Sequence, residues 1–473
     1  MRARLIALFA AALAVSGPAS AQDPRFSPAV DVTDQVVLNG IVHVARAVSD
    51  GPGWLVIHVD GGGAPGPVAG VAALQPGENP AVEVRIDTAM LTPVLYAMLH
   101  TDDGQIGAYE FDGQSGLDNP VSAGGQVIAP AFSIAALDVT DQRIDDGQLR
   151  VRAVTAAVPL WVVIHSDADG APGPVLGHTA LPAGTSSSIA VPIAEAGRTA
   201  TLWPMLHVDD GAPGVYEFDG QSGRDNPVIV SGVTATGRVW TVPHARVPDQ
   251  IILRADNAPP APAGHDPVLR VDSTLCDGPC FMVVHTDGGG MPGPAAGFVA
   301  LPDGLSEHYT VPLNMGAPVT AVLWPMLHAD DGTLGTYEFD GQSGRDNPIM
   351  VDGAVVTFPI HAAPMLQIDD QPAADGIIRV AQALTDSPGW LVIHQDSDGA
   401  PGPVLGFAAL RSGLTRNLTV TVDAAAAGAR VFPMLHFDSG AAGVYEFGSV
   451  PGADVPVVLA GRVITGPSAI SAP

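Results

Sequence analysis

Short runs of β-branched and aromatic residues alternate with clusters of Gly, Pro, Asp and Asn along almost the whole chain. Between residues 137 and 244 this alternation predicts seven strands: Leu149–Val154, Leu160–His165, Ser188–Pro192, Thr201–His207, Val215–Phe218, Val228–Val230 and Arg238–Val242. Strands this short, with turn residues every few positions, are the pattern of an antiparallel β-sandwich, Ig-like or cupredoxin-like. No long stretch repeats with a 3.6-residue period, so helix should be minor; the Ala-rich Ala424–Ala427 is the one candidate helical turn.

The same pattern is written four times. The first recurring block starts at Trp54 (WLVIHVDGGGAPGPVAG), Trp161 (WVVIHSDADGAPGPVLG), Phe281 (FMVVHTDGGGMPGPAAG) and Trp390 (WLVIHQDSDGAPGPVLG). The second starts at Met98, Met205 and Met326, where MLHxDDG leads through YEF into DGQSGxDNP, and at Met434, where MLHFDSGAAGVYEF is followed by a different loop. The motif histidines lie 42, 42, 43 and 42 residues apart in the four copies. That constancy marks equivalent positions, and the Asp-Gln pair that opens each copy, at Asp34, Asp141, Asp249 and Asp370, divides the chain into residues 22–136, 137–244, 245–365 and 366–473, after a leader at 1–21. The junctions contain no Ser/Gly linker, which suggests a semi-rigid rod of four all-β domains. Asn257–His265, an insertion in the third copy, reads as a surface loop.

The leader reading comes from Arg2 and Arg4 ahead of the apolar run Leu5–Val15 and the small-residue site Ala19-Ser20-Ala21. No later segment is long and apolar enough for a membrane helix, so the expectation is a secreted, extracellular or cell-surface protein, or a periplasmic one, without membrane insertion. The chain has no lysine, and without its leader 49 carboxylates face 18 arginines. Such a field repels nucleic acid and draws cations, and the missing lysine rules out the phosphate-loop lysine and Schiff-base chemistry. Cys276 and Cys280 flank turn residues and are expected to form a disulfide.

Each copy repeats one set of polar residues that could bind a metal. The first block supplies His58 and Asp60, His165 and Asp167, His285 and Asp287, and His394 and Asp396. The second supplies His100, Asp102 and Glu110; His207, Asp209 and Glu217; His328, Asp330 and Glu338; and His436, Asp438 and Glu446. An aromatic stands four residues before each histidine, and strand positions four apart share a face. One reading packs those aromatics in the core with the histidines closing its rim. The other gathers two imidazoles and the carboxylates at one end of the sandwich, where imidazole with carboxylate suits zinc or copper and an all-oxygen set suits calcium. The DxDG spellings at Asp167–Gly170 and Asp396–Gly399 favour calcium, but Gly62 and Gly289 replace the second aspartate in the other two copies. In YEF, Tyr and Phe are expected on one strand face and Glu on the other.

Enzyme motifs are lacking. Ser115, Ser222 and Ser343 lie in GQSG without the spacing of a nucleophile elbow, and GGGAPGP lacks phosphate-loop spacing. Together the VIH, GxPGPxxG, MLHxD and YEF blocks resemble an uncharacterised domain family found, often in tandem, in secreted and surface proteins of haloarchaea and bacteria. The resemblance implies an extracellular β-rich module. The expectation is a non-catalytic repeat protein acting in adhesion, matrix or cation-dependent binding of a polysaccharide or protein ligand. The alternative is an extracellular metal-binding protein with one His/carboxylate site per repeat.

Overall fold

A computed structural model of the chain describes residues 26–259, 267–372 and 376–471. The leader lies outside them, as does most of the third-copy insertion. The fold is all-β, with a single four-residue α-helix among the described residues, at Ala424–Ala427.

In each repeat the two histidine strands are antiparallel neighbours. In the second repeat Leu160–Ala168 pairs with Thr201–Val208, and on its other edge with Ala171–Leu181. The facing sheet pairs Gln148–Ala156 with Gly184–Pro192. Between the sheets lies a dry core that includes Leu149, Val151, Leu160, Val162, Ile164 and Leu206.

Two expectations about strands need correcting. Ala171–Leu181 is a strand, although its Gly and Pro residues read as loop. Its Gly177 sits where the two sheets cross, and a Cβ there would meet the Pro192 carbonyl oxygen at 1.9 Å, so glycine is what lets the backbones approach. Conversely, Val215–Phe218 is not a strand but an irregular segment lying over the sheet.

The DxDG spelling of the second repeat is a hairpin turn. Asp169 and Gly170 have φ of 53° and 84°, the two positive values of a tight two-residue turn between Ala168 and Ala171. Asp398 and Gly399 do the same in the fourth repeat.

Successive repeats are joined through strands, not linkers. Ala131–Asp138 pairs first with Val94–Tyr96 of repeat 1, then in parallel with Gln35–Leu38, and finally with Ala153–Thr155 of repeat 2. The later junctions follow the same plan: Val239–Trp240 closes repeat 2 and His244–Arg246 opens repeat 3. Ile360–His361 and Met365–Gln367 do this between repeats 3 and 4.

The row of domains is not an extended rod. Gly443 of the last repeat lies so close to the first that a Cβ on it would be 2.8 Å from the Pro76 carbonyl oxygen. The described start of the third-copy insertion also packs rather than looping free. Asn257 donates to the Pro456 carbonyl and accepts from the Val458 amide, each at 2.9 Å. Cys276 and Cys280 are buried and bonded to each other, with Cα atoms 6.1 Å apart.

Candidate metal centre

The histidines do not close the rim of the core. Alternation along Gly53–Asp60 sends Leu55, Ile57 and Val59 into the sandwich and Trp54, Val56 and His58 to the opposite face. The neighbouring strand does likewise, placing Tyr96, Met98 and His100 beside them in register: Trp54 with His100, Val56 with Met98, His58 with Tyr96. This outer face is nonetheless dry, because the loop carrying YEF folds across it. His58 is 5% exposed and His100 fully buried. Sequence reasoning placed the aromatics and histidines on one face correctly, but it chose the core side and the end of the sandwich. The cluster instead occupies the middle of the sheet's outer face.

The paired histidines occupy diagonal corners of this patch, and their rings meet over its centre. Ring centroids are 5.9, 5.7, 5.8 and 5.6 Å apart in repeats 1 to 4, with planes 20–23° from parallel. Each ring is held by the backbone. His58 Nδ1 donates to Gly66 O and His100 Nδ1 to Asp118 O, both at 2.7 Å. The same two anchors recur in the other copies, from His165 to Gly173, His207 to Asp225, His285 to Gly293, His328 to Asp346, His394 to Gly402, and His436 to Asp454. A β-bulge at the first histidine of every copy interrupts the edge ladder and re-aims that side chain.

These bonds fix the chemistry of the rings. A carbonyl oxygen only accepts, so Nδ1 must carry the hydrogen and Nε2 of the neutral ring is a bare lone pair. Burial drives the second histidine of each pair toward that neutral form, lowering His207, His328 and His436 to about 4 despite the opposing carbonyl bond. In repeat 4 the two Nε2 atoms face each other at 3.5 Å. The Nε2 atoms of His58, His165, His207 and His285 are buried without a hydrogen-bond partner.

The aromatics of YEF cap this arrangement. Phe111 meets His100 edge-on at 4.9 Å and Tyr109 packs against Trp54 at 5.6 Å; Phe218 and Tyr216 repeat this in the second copy at 4.8 and 5.5 Å. Burial pushes the Tyr109, Tyr216 and Tyr337 hydroxyls up to about 12.

The carboxylates do not join the imidazoles. Asp60 accepts from the Gly63 amide and the Tyr96 hydroxyl, and Asp167 and Asp287 accept from Gly170 and Gly290 amides and the Trp203 and Trp324 indoles. Asp396 takes the Gly399 amide and, because Phe432 has no polar tip, the Arg430 guanidinium. Asp102, Asp209, Asp330 and Asp438 accept from the amides of Gly107, Gly214, Gly335 and Gly443. Glu110, Glu217, Glu338 and Glu446 accept from the amides of Gln105, Ala212, Thr333 and Ala441. The first-block aspartates hold their own hairpin turns, while the second-block aspartates and the glutamates build the loop that covers the cluster. Among the described residues no three His, Cys, Asp or Glu side chains gather as a metal site.

Sequence reasoning overlooked one carboxylate and one thioether in each copy. Asp118, Asp225, Asp346 and Asp454 are fully buried. Asp118 takes the Asp103 and Glu110 amides at 2.7 and 2.6 Å while its own carbonyl anchors His100. Its φ of 48°, which aspartate tolerates better than most residues, makes both possible. The signal was Asp-x-Pro, which survives at Asp454 where the rest of the loop changes. The thioethers are Met98, Met205, Met326 and Met434, each two positions before a histidine and 6–8% exposed.

The family model "Domain of unknown function (DUF7282)" matches residues 28–134, 135–239, 262–361 and 364–471, and the chain belongs to this family as four tandem copies. No curated protein matches the sequence. Among solved structures, the crystal structure of Dpr2 Ig1-Ig2 in complex with DIP-Theta Ig1-Ig3 is 8% identical, covering 71% of this chain and 99% of that one at a TM-score of 0.16. CBD12 from CALX1.2 is 12% identical, covering 45% and 99% at a TM-score of 0.13. Among the described residues no helix is long and apolar enough to cross a membrane.

Proposed function

We propose that this is an exported, non-catalytic repeat protein in which each domain holds one transition-metal ion between its two buried imidazoles. The observation that carries the reading is the pair of Nε2 atoms 3.5 Å apart in repeat 4, in rings whose Nδ1 hydrogens are committed to the Gly402 and Asp454 carbonyls. Two buried acceptors facing each other repel, and a buried acceptor without a donor costs about 1–3 kcal/mol. A shared proton would relieve this only with a charged imidazole, which burial disfavours at neutral pH. A metal ion relieves it while both rings stay neutral, and the carbonyl at each Nδ1 is the outer partner that metal-binding histidines commonly have. The strongly acidic surface raises the local concentration of cations. Adhesion to polysaccharide or protein rests on that surface charge alone, and calcium would need carboxylate oxygens that the loop amides already occupy.

The test is stoichiometry. Chelator-stripped protein titrated with copper and zinc should take up four equivalents per chain. Replacing His394 and His436 together with alanine should leave three, with the other domains still folded. Failure to bind any transition metal at four equivalents would sink the reading. Export is checked separately by sequencing the N-terminus of native protein, which should begin at Gln22.

A further inference from the structure

The structure assigns these sites more narrowly: each is a neutral imidazole–imidazole–thioether site selective for a soft monovalent ion, Cu(I) or its analogue Ag(I), with the methionine of MLH as third ligand. This rests on the metal-binding reading above and goes beyond it by naming the ion and the sulfur. Met98 occupies the rung midway between the two histidine rungs, opposite Val56, and is therefore placed where the two rings converge. Its Sδ lies 3.2 Å from His100 Nε2, and Met326 Sδ lies 3.2 Å from His328 Nε2. Neither atom has a hydrogen to give, since the sulfur is a thioether and the ring proton sits on Nδ1. The contact therefore brings two electron-pair donors together, and a cation is what such a contact lacks.

The composition of the donor set decides among cations. Thioether sulfur selects soft ions, and neutral ligands alone compensate little of a divalent charge in a dry pocket. Zinc in a structural site takes four ligands, often including thiolate or carboxylate, yet every motif carboxylate here holds loop amides. The geometry agrees. The two nitrogens of repeat 4, 3.5 Å apart, can both reach one ion at about 2.0–2.1 Å, an angle of roughly 113–122° that leaves room for a third ligand. The methionine recurs in all four copies, including the fourth, whose acidic loop differs. Phe111 and Tyr109, with their counterparts, cover the cluster and exclude the water that would favour the divalent state.

The experiment is an anaerobic titration of the full-length protein with Cu(I) against a chromophoric chelator, run beside Zn(II) and Ag(I). Four equivalents of Cu(I) and of Ag(I) are expected, both bound more tightly than zinc. The variant M98L/M205L/M326L/M434L keeps volume and apolar character, a swap that cores usually tolerate. It should lose at least tenfold in Cu(I) affinity with little change for zinc. X-ray absorption of the copper-loaded wild type should show one sulfur scatterer at about 2.3 Å beside two nitrogens, a readout that holds even if the variant fails to fold. Four bound ions with no sulfur scatterer, or a leucine variant with wild-type Cu(I) affinity, would overturn the thioether assignment while leaving the imidazole reading intact. Absence of any four-equivalent binding would remove both.

Discussion

His207 and Asp225 hold each other in place through different atoms. The imidazole Nδ1 donates to the Asp225 carbonyl at 2.6 Å, while the Asp225 carboxylate collects the Asp210 and Glu217 amides at 3.2 and 2.6 Å. One residue thus fixes both the orientation of the ring and the loop that keeps it dry.

Asp225→Ala should consequently open the loop without disturbing the sandwich beneath. Two loop amides lose their acceptor, at about 1–3 kcal/mol each when buried. Repeat 2 is expected to lose roughly 2–6 kcal/mol in urea unfolding, with new proteolytic cleavage between residues 209 and 226. Wild-type resistance in that segment would show that the carboxylate does not hold the loop.

Gly177→Ala should be more damaging than any loop change. Its new methyl would lie 1.9 Å from the Pro192 carbonyl, and at Gly70 the corresponding distance to the Arg85 carbonyl is 2.1 Å. Neither neighbour is a flexible side chain, so the sheets must separate. Loss of several kcal/mol, or failure of repeat 2 to fold, is expected by circular dichroism, whereas Gly170→Asn in the hairpin turn should be mild.

Acid should destabilise the metal-free protein before its carboxylates protonate. His207, His328 and His436 are lowered to about 4 by burial, and His244, stacked on Trp240 at 4.2 Å, is lowered to about 4 as well. Unfolded histidines titrate near 6.5, so from about 6.5 down to 4 the unfolded chain binds more protons than the folded one. Stability is therefore full above that window and declines as pH falls through it. Thermal unfolding at pH 7.5, 5.5 and 4.5 checks this; a constant Tm across the three would mean that these rings are not buried in the neutral form.

The Cys276–Cys280 bond closes a very short loop, so the chain-entropy account allows it only about 2 kcal/mol. Thiol titration of unfolded, unreduced protein should find no free sulfhydryl. Cys276→Ser/Cys280→Ser should lower the stability of repeat 3 alone, leaving repeats 1, 2 and 4 unchanged.

Much of this was legible from the chain, and what was not has physical causes. Repetition and two-residue alternation fixed the number of domains, the sandwich and the shared face of Trp54, His58 and their counterparts. Alternation cannot say which face is inside when both are covered, and Gly53 through Val59 are all buried. Tyr109-Glu110-Phe111 has strand-like composition, but its residues pack onto a sheet instead of pairing with it. Aspartates that cap amides and aspartates that bind metal have the same spelling, so Asp60 and Asp102 could not be sorted without their partners. Met98 was visible as the first residue of the second block but was given no role, because its sulfur matters only once the ring nitrogen beside it is known.

The strand that runs from Ala131 to Asp138 separates the unit of inheritance from the unit of folding. A duplicated gene segment can begin and end near residue 136, but a polypeptide cut there loses an edge on both sides, since this one strand closes repeat 1 and opens repeat 2. A copy inserted into or deleted from such an array must splice strand to strand in register, where a linker-joined array would tolerate any seam.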